Sequence, residues 1–170
     1  MKVEARLALT GFMGVGKTSV ARHLEQITGC RRFDIDTLIE DSTGRKIAEI
    51  IDADGIDAFR QVESEALKKV LERNQGCILS LGGGTWTIAA NRESISKSGF
   101  TSIWLESSFD HCWFNIKFSR KERPLARDKE KARALFDERQ RIYCLADWHF
   151  LVKPGFNSYD IARQIADQIL

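Results

Sequence analysis

The sequence contains little of what marks a membrane, secreted or disordered protein. Its 170 residues include only 2 prolines, and no apolar run approaches the ~18 residues that a membrane-spanning helix needs. The first residues lead into a short apolar run without a longer hydrophobic region or a cleavage site, so no secretory signal is visible. The low proline content, with only 12 glycines, also argues against long disordered stretches. We therefore expect a cytoplasmic protein with no membrane partner.

Metal-binding patterns of cysteine and histidine are absent as well. The 4 cysteines are too widely spaced for a CxxC pair, and the 3 histidines show no ligand spacing. Without a secretory signal, free thiols in a reducing cytoplasm are a better interpretation than disulfides. We expect neither a disulfide framework nor metal coordination by these side chains.

The net charge of the chain is small, but basic residues are concentrated in one segment. The chain has 26 basic and 24 acidic residues, which leaves a net charge of +2. Residues 116–133 nevertheless hold eight basic and three acidic side chains. This segment can be a solvated helix face, a nucleic-acid patch or a mobile flap that carries cations to a phosphate. We favour the flap because of the phosphate-binding motif described below, and we expect no nucleic-acid partner.

Apolar runs of strand length alternate with helical patterns along the chain. Strands are predicted at residues 7–9, 32–36, 77–81, 101–105 and 150–152, and helices at 17–28, about 59–71 and 161–169. Since the strands are continuously apolar rather than alternating, they fit a parallel sheet covered on both faces. The length fits one domain over residues 1–170. The sequence therefore predicts an α/β fold, a three-layer sandwich around a parallel sheet of about five strands.

A glycine-rich segment between the first strand and the first helix fits the motif G-x-x-x-x-G-K-[ST]. Residues 11–18 read GFMGVGKT. Glycines let successive backbone N–H groups turn inward around a phosphate, at the positive end of the following helix. Lys17 is expected to reach the β- and γ-phosphates and Thr18 to ligate Mg²⁺. An incidental lysine in a glycine-rich turn is the alternative. The predicted nucleotide-binding residues of this loop are Gly14, Val15, Gly16, Lys17, Thr18 and Ser19.

Two acidic residues, Asp34 and Asp36, end the second predicted strand beside this loop. Their i, i+2 spacing on an extended segment points both side chains the same way. One can enter the shell of Mg²⁺, which takes oxygen ligands and keeps several waters. The other can accept a proton from an attacking hydroxyl. Alternatively, both residues cap a helix that begins near Thr37. Beside a phosphate-binding loop, we favour the functional interpretation.

The remaining motifs resemble the shikimate kinase family along essentially the whole chain. Beyond the loop at 11–18, the matching segments are residues 33–36, 43–51, 54–60, 63, 81–84, 123–125 and 138–143. The resemblance implies a nucleoside-monophosphate-kinase-like fold. A mobile lid is implied over about residues 116–128, and a substrate-binding region over about residues 34–63. It also implies that ATP, with Mg²⁺, phosphorylates a hydroxyl of shikimate in the biosynthesis of aromatic amino acids. We expect a monomer, as is common for small kinases with moving lids.

The resemblance implies roles for the residues on the phosphate side. Asp36 holds ring hydroxyls of the substrate and serves as the base, and Asp34 lies in the outer shell of the magnesium ion that Thr18 ligates. Arg123 in the lid reaches the nucleotide phosphates. Lys17, Asp36 and Arg123 thus form the implied catalytic set. Charge neutralisation by cations and removal of the hydroxyl proton are what phosphoryl transfer needs.

On the substrate side, the resemblance implies that Arg60 and Arg139 clamp the carboxylate. Backbone N–H groups of Gly82, Gly83 and Gly84 complete the pocket. A planar guanidinium pairs with a carboxylate through two hydrogen bonds, which orients the ligand as well as binding it. Glu63 follows Arg60 by one helical turn and can hold that guanidinium in place. Taken singly, each of these residues is also compatible with a surface charge or a plain turn.

The sequence departs from the family pattern at three places. Ile116 stands where the family commonly has an adenine-stacking arginine, with Lys117 one place along. The usual acidic segment reads DGI at residues 54–56, and Gln140 precedes Arg141 where the family has Asn-Pro. Arg141 is therefore a second candidate for the carboxylate clamp beside Arg139.

Two other functions stay open at this point. A related small-molecule kinase can act on gluconate or on a nucleoside monophosphate, although paired arginines and three glycines favour a carboxylate over a base. A phosphate-binding module without catalysis is the other possibility. The residues that argue against such a module are all present: Lys17, Thr18, Asp34, Asp36 and Arg123.

Overall fold

The computed structural model describes residues 4–73 and 77–170 of the chain. Its strands are β1 (Arg6–Thr10), β2 (Arg31–Asp34), β3 (Cys77–Ser80), β4 (Thr101–Glu106) and β5 (Trp148–Leu151). They form one sheet in the order β2-β3-β1-β4-β5, and every neighbouring pair is parallel. The prediction of a parallel sheet of about five strands is confirmed.

Eight α-helices occupy the described part of the chain. They are α1 (Lys17–Thr28), α2 (Ile35–Thr43), α3 (Ile47–Asp54), α4 (Ile56–Leu71), α5 (Ala89–Lys97), α6 (Phe109–Phe118), α7 (Lys129–Tyr143) and α8 (Ser158–Ile169). From β1 in the centre, the chain first crosses to β2 at one edge of the sheet. The later connections, from β2 to β3, β4 and β5, all proceed in the opposite direction across the sheet. Because crossovers between parallel strands are right-handed, this reversal places α1 on the face opposite to the later connections. Helix α8 packs against α1 and completes that layer.

The sequence predicted the central elements best. Helix α1 has the bounds that its pattern indicates, and Gly29 ends it in the left-handed conformation at φ 71°. Strand β3 is buried along its whole length and β1 over all but its first residue. Continuous burial is what a strand covered by helices on both faces requires. Helices α2, α3, α5, α6 and α7 were not assigned from the sequence.

The second strand is shorter than predicted. It ends at Asp34, and Asp36 lies in the first turn of α2. The carboxylate of Asp34 accepts a hydrogen bond from the backbone N–H of Thr37 at 3.2 Å and so caps that helix. The predicted extension through Asp36 was wrong because this capping bond stabilises a helical start at Ile35. The alternative of a capping residue is correct for Asp34.

The candidate lid begins inside a helix. Helix α6 runs to Phe118, a short 3₁₀ turn covers Pro124–Ala126, and Asp128 caps α7. Ile116, the first residue of the predicted range 116–128, is buried in the core, whereas residues 117–122 are exposed. The mobility of the segment stays a prediction. So does the single domain over 1–170, a range that includes residues 1–3 and 74–76 outside the described part.

Within residues 4–73 and 77–170, no helix is long and apolar enough to cross a membrane. The loops that follow the carboxyl ends of the central strands meet at one edge of the sheet. Residues 11–16 follow β1, Asp34 ends β2, and residues 81–84 follow β3. This edge is where open α/β sheets bind ligands.

Candidate active site

The loop after β1 is folded tightly around the side chain of Lys17. The Lys17 ammonium donates hydrogen bonds to the carbonyls of Gly11 at 2.7 Å and Phe12 at 3.1 Å. Gly14 has φ 82°, and a Cβ there would lie 2.6 Å from the carbonyl oxygen of Cys112. Gly16 precedes α1 without a side-chain cap. The first N–H groups of α1 therefore lack a side-chain acceptor, which suits an anionic phosphate.

Two cations face the space in front of this loop. Burial and, to a smaller extent, the charge of Arg123 lower the pKa of Lys17 from 10.5 to about 7, although the charge of Asp36 opposes both effects. Burial also lowers the pKa of Arg123. The Nε atom of Arg123 is buried and has no hydrogen-bond partner among the described residues. Cations that are desolvated and close to each other are stabilised when an anion binds between them.

We expect ATP binding above pH 7 to be accompanied by proton uptake. In the free protein the Lys17 ammonium loses its proton as the pH rises through about 7. A bound polyphosphate favours the charged form and raises this pKa, so binding returns a proton and the affinity for ATP falls as the pH rises. Calorimetry at about pH 8 in buffers of different ionisation enthalpy measures the uptake. The variant Lys17→Arg stays charged and should abolish it; equal heats for the parent in all buffers would contradict the prediction.

Oxygen donors suited to a divalent cation lie beside the loop. The Thr18 hydroxyl donates a hydrogen bond to the Asp34 carboxylate at 2.7 Å. Both side chains line a cleft of about 1000 Å³ at this edge of the sheet, here called the larger cleft. A hydroxyl next to a carboxylate, with room for waters, fits the octahedral oxygen shell of Mg²⁺. Thr18 and Asp34 therefore fit the magnesium that their sequence pattern predicts.

A second cleft, of about 480 Å³, opens between α3, α4 and α7. Its polar lining comprises Asp36, Arg60, Glu63, Gly82, Gly83, Gly84, Lys121, Glu122, Arg123 and Arg139. Asp36, Lys121 and Arg123 line both clefts. The larger cleft carries the phosphate loop, and the smaller one carries both candidate clamp arginines. Their junction is where a group can pass from one bound molecule to the other.

The arginines of the smaller cleft are held by buried contacts. The Arg60 guanidinium donates a hydrogen bond to Glu63 at 2.8 Å, and Glu63 is only 1% exposed. Burial raises the pKa of Glu63, and the charge of Arg60 opposes that shift. Arg139 on α7 is 5% exposed. Arginines fixed at a cleft wall are arranged to bind a carboxylate by paired hydrogen bonds.

Each glycine of the 82–84 turn leaves space for a different side chain of the cleft. A Cβ on Gly82 would lie 2.6 Å from Glu63 Oε2, and one on Gly83 would lie 3.1 Å from Arg139 Nη1. A Cβ on Gly84 would overlap the guanidinium of Arg60. From the sequence, these glycines are expected to let the backbone approach a ligand closely. The structure adds a second reason, since side chains of the site itself fill the missing volume.

The structure brings most of the predicted residues together. Of the predicted loop residues, all but Val15 line the larger cleft; the side chain of Val15 is buried. Arg141 is exposed and lines neither cleft, so the second clamp candidate lies outside the site. Ile116 packs close to Gly14.

Sequence reasoning missed Lys121, whose ammonium donates a hydrogen bond to the carboxylate of Asp36 at 2.7 Å. Its position in the basic segment was the available signal.

Comparisons with known proteins agree with this geometry. The family model for shikimate kinase matches residues 13–170. A shikimate kinase from Streptococcus thermophilus is 40% identical over 138 residues, which cover 79% of this chain and 82% of that protein. One from Ruegeria pomeroyi is 37% identical over 167 residues, which cover 96% of this chain and 82% of that protein.

A solved structure is similar over nearly the whole chain. The shikimate kinase from Acinetobacter baumannii, in complex with shikimate, superposes with a TM-score of 0.90 at 30% sequence identity. The match covers 99% of this chain and 94% of that one. With the family model matching most of the sequence, the chain belongs to the shikimate kinase family.

Proposed function

We propose that this chain transfers the γ-phosphoryl group of ATP to a hydroxyl of shikimate, giving shikimate 3-phosphate and ADP in aromatic amino acid biosynthesis. The observation that carries this proposal is the meeting of the two clefts at Asp36 and Arg123. One cleft has the phosphate-binding loop, and the other has a pair of fixed arginines suited to a single carboxylate. Family membership and the similarity to a shikimate-bound structure support the same acceptor.

The phosphate side of the reaction depends on positioning and charge. Lys17, Arg123 and the first N–H groups of α1 hold the phosphates of ATP and neutralise charge on the oxygens during transfer. Thr18, with Asp34 beside it, would hold Mg²⁺, and the bound ion would supply further charge neutralisation. Arg123 has an unused buried Nε–H for this purpose.

The acceptor side depends on Asp36 and the clamp. Arg60 and Arg139 bind the carboxylate of shikimate, and N–H groups of the 82–84 turn complete the pocket. This anchoring presents a ring hydroxyl to Asp36, which orients it and accepts its proton as the new P–O bond forms. The proton thus leaves on the carboxylate while ADP departs on the opposite side of the phosphorus.

The lid over about residues 116–128 closes over bound nucleotide and excludes water in this proposal. Two ion pairs join this segment to helices α2 and α3: Lys121 pairs with Asp36 at 2.7 Å, and Arg127 pairs with Asp52 at 2.8 Å. Both basic side chains are at least 40% exposed. Exposed ion pairs contribute little to stability, so they permit opening.

The enzyme acts as a cytoplasmic monomer in this proposal, with no nucleic-acid or membrane partner. This chain by itself supplies the phosphate loop, Asp36, Arg123 and both arginines of the smaller cleft, which supports a site formed within one protomer. One domain over residues 1–170 then carries the whole reaction, with residues 34–63 forming much of the substrate side.

An ADP-release assay tests the proposed function. Turnover is expected with shikimate and not with gluconate or nucleoside monophosphates, because the clamp selects a carboxylate on a small hydroxylated ring. Preference for gluconate or a nucleoside monophosphate would assign another kinase activity. Binding of ATP without turnover on any of these acceptors would favour a phosphate-binding module.

A further inference from the structure

Tyr143 connects two parts of the smaller cleft that are distant in sequence. It is the last residue of α7 and has no exposed surface. Its hydroxyl donates a hydrogen bond to the carbonyl oxygen of Gly83 at 2.5 Å. Arg139 lies one helical turn earlier on the same helix, so both side chains project from the same face of α7. The mechanism described above assigns no role to Tyr143.

The same hydroxyl is in contact with the clamp arginine. Burial raises the pKa of Tyr143 to about 12, although the nearby positive charge of Arg139 opposes that shift. A Cβ on Gly83 would lie 3.1 Å from Arg139 Nη1 and 3.8 Å from the Tyr143 hydroxyl. The phenol therefore stays protonated at neutral pH, donates to the turn and lies beside the guanidinium of Arg139.

A second hydrogen bond joins the same two segments. The indole N–H of Trp86, which lies just after the glycine turn, donates to the carbonyl oxygen of Ile142 at 3.1 Å. The ring of Tyr143 packs near that of Trp104, with centroids 6.2 Å apart. The aromatic ring is thus held by packing, and the hydroxyl group alone reaches both the turn and the arginine.

We propose that Tyr143 is a positioning residue that sets the distance between the Arg139 guanidinium and the 82–84 turn. The hydrogen bond from Trp86 to Ile142 supports the same arrangement. The substrate carboxylate then meets guanidinium and backbone groups that are already in place. This inference rests on the proposed function. Tyr143 lies behind the turn and touches no reacting group, so its effect is on binding of the carboxylate. A site held in place before binding loses less entropy when the ligand arrives.

The variant Tyr143→Phe removes only the hydroxyl. We expect the KM for shikimate to rise roughly 3- to 10-fold, as the loss of one buried hydrogen bond produces. The KM for ATP and kcat should stay within about twofold, because Tyr143 touches neither the phosphates nor Asp36. Tyr159→Phe is the matched control, since Tyr159 is the other tyrosine of the chain and is exposed on α8.

Shikimate methyl ester separates positioning of the clamp from a general loss of structure. The ester lacks the charged carboxylate, so the parent and Tyr143→Phe should use it with equal kcat/KM. A loss on the ester as large as that on shikimate, or an unchanged KM for shikimate, would overturn the inference. If Tyr143→Phe folds poorly by thermal melting, Trp86→Phe should show the same carboxylate-dependent loss, and its absence there would also overturn it. A parent enzyme inactive on shikimate would refute the proposed function itself.

Discussion

Asp36→Asn is expected to bind ATP as the parent does and to turn over about 10²- to 10⁴-fold more slowly, the range that a general base contributes. Asparagine has nearly the same shape but cannot accept the hydroxyl proton. In the parent, Asp36 lines both clefts and is 21% exposed at its side chain, so it can reach an acceptor hydroxyl next to the phosphates. Steady-state kinetics together with nucleotide titration measure the two effects separately.

Asp41→Asn provides the control for this variant. Asp41 lies on the same helix α2 but is exposed and lines neither cleft. It should therefore keep parental kinetics. Near-parental turnover of Asp36→Asn would remove Asp36 as the base, whereas loss of ATP binding would place its main effect on the nucleotide. Asp36 also pairs with Lys121 at 2.7 Å, so Lys121→Met is worth including to separate loss of that pair from loss of the base.

Arg60→Ala is expected to raise the dissociation constant of shikimate roughly 10- to 100-fold and that of ATP far less. The estimate corresponds to one hydrogen bond to a charged group, about 1.5–3 kcal/mol. Arg60 lines the smaller cleft and not the larger one, which Lys17 and Thr18 line. Equilibrium titration of each ligand measures the two constants. A parallel rise of both constants would show that the clamp assignment is wrong.

Two further variants separate binding from stability in this experiment. Removing Arg60 leaves Glu63, which is 1% exposed, without its cation. Breaking a buried ion pair in this way can lower the free energy of unfolding by about 3–5 kcal/mol. Arg60→Ala combined with Glu63→Gln avoids that charge. Gly84→Ala keeps both charges but displaces the guanidinium of Arg60, the flexible end of a side chain, and should reproduce the loss of shikimate binding. Arg163→Ala, on the exposed face of α8, is the control.

The phosphate loop could be predicted from sequence because its chemistry is local. A run of eight residues supplies the glycines, the lysine and the hydroxyl, and these lie directly between a strand and a helix. The sheet was predictable for a similar reason, since strands buried on both faces must be continuously apolar. Roles for Arg60 and Arg139 came from resemblance to a family rather than from any local pattern.

The position of Asp36 shows where local reasoning fails. An alternating pattern of apolar and acidic residues fits a strand as well as a helix start, and the capping bond from Thr37 to Asp34 favours the helix. Asp36 reaches the cleft from the first turn of α2, next to Lys121 from the lid. Nothing in the sequence indicates that Asp36 and Lys121, which are 85 residues apart, lie close together.

By itself, the sequence determined that this protein binds a phosphate at the carboxyl edge of a parallel sheet, because those signals lie within single elements. Only the tertiary structure decided which side chains fill the spaces left by Gly82, Gly83 and Gly84. It also decided that Arg139 lines the cleft with the buried Tyr143 behind the turn, while Arg141 is exposed outside it. The physical reason is that these contacts join residues far apart in the chain. Their geometry depends on how α4 and α7 pack around the end of β3, which no local pattern specifies.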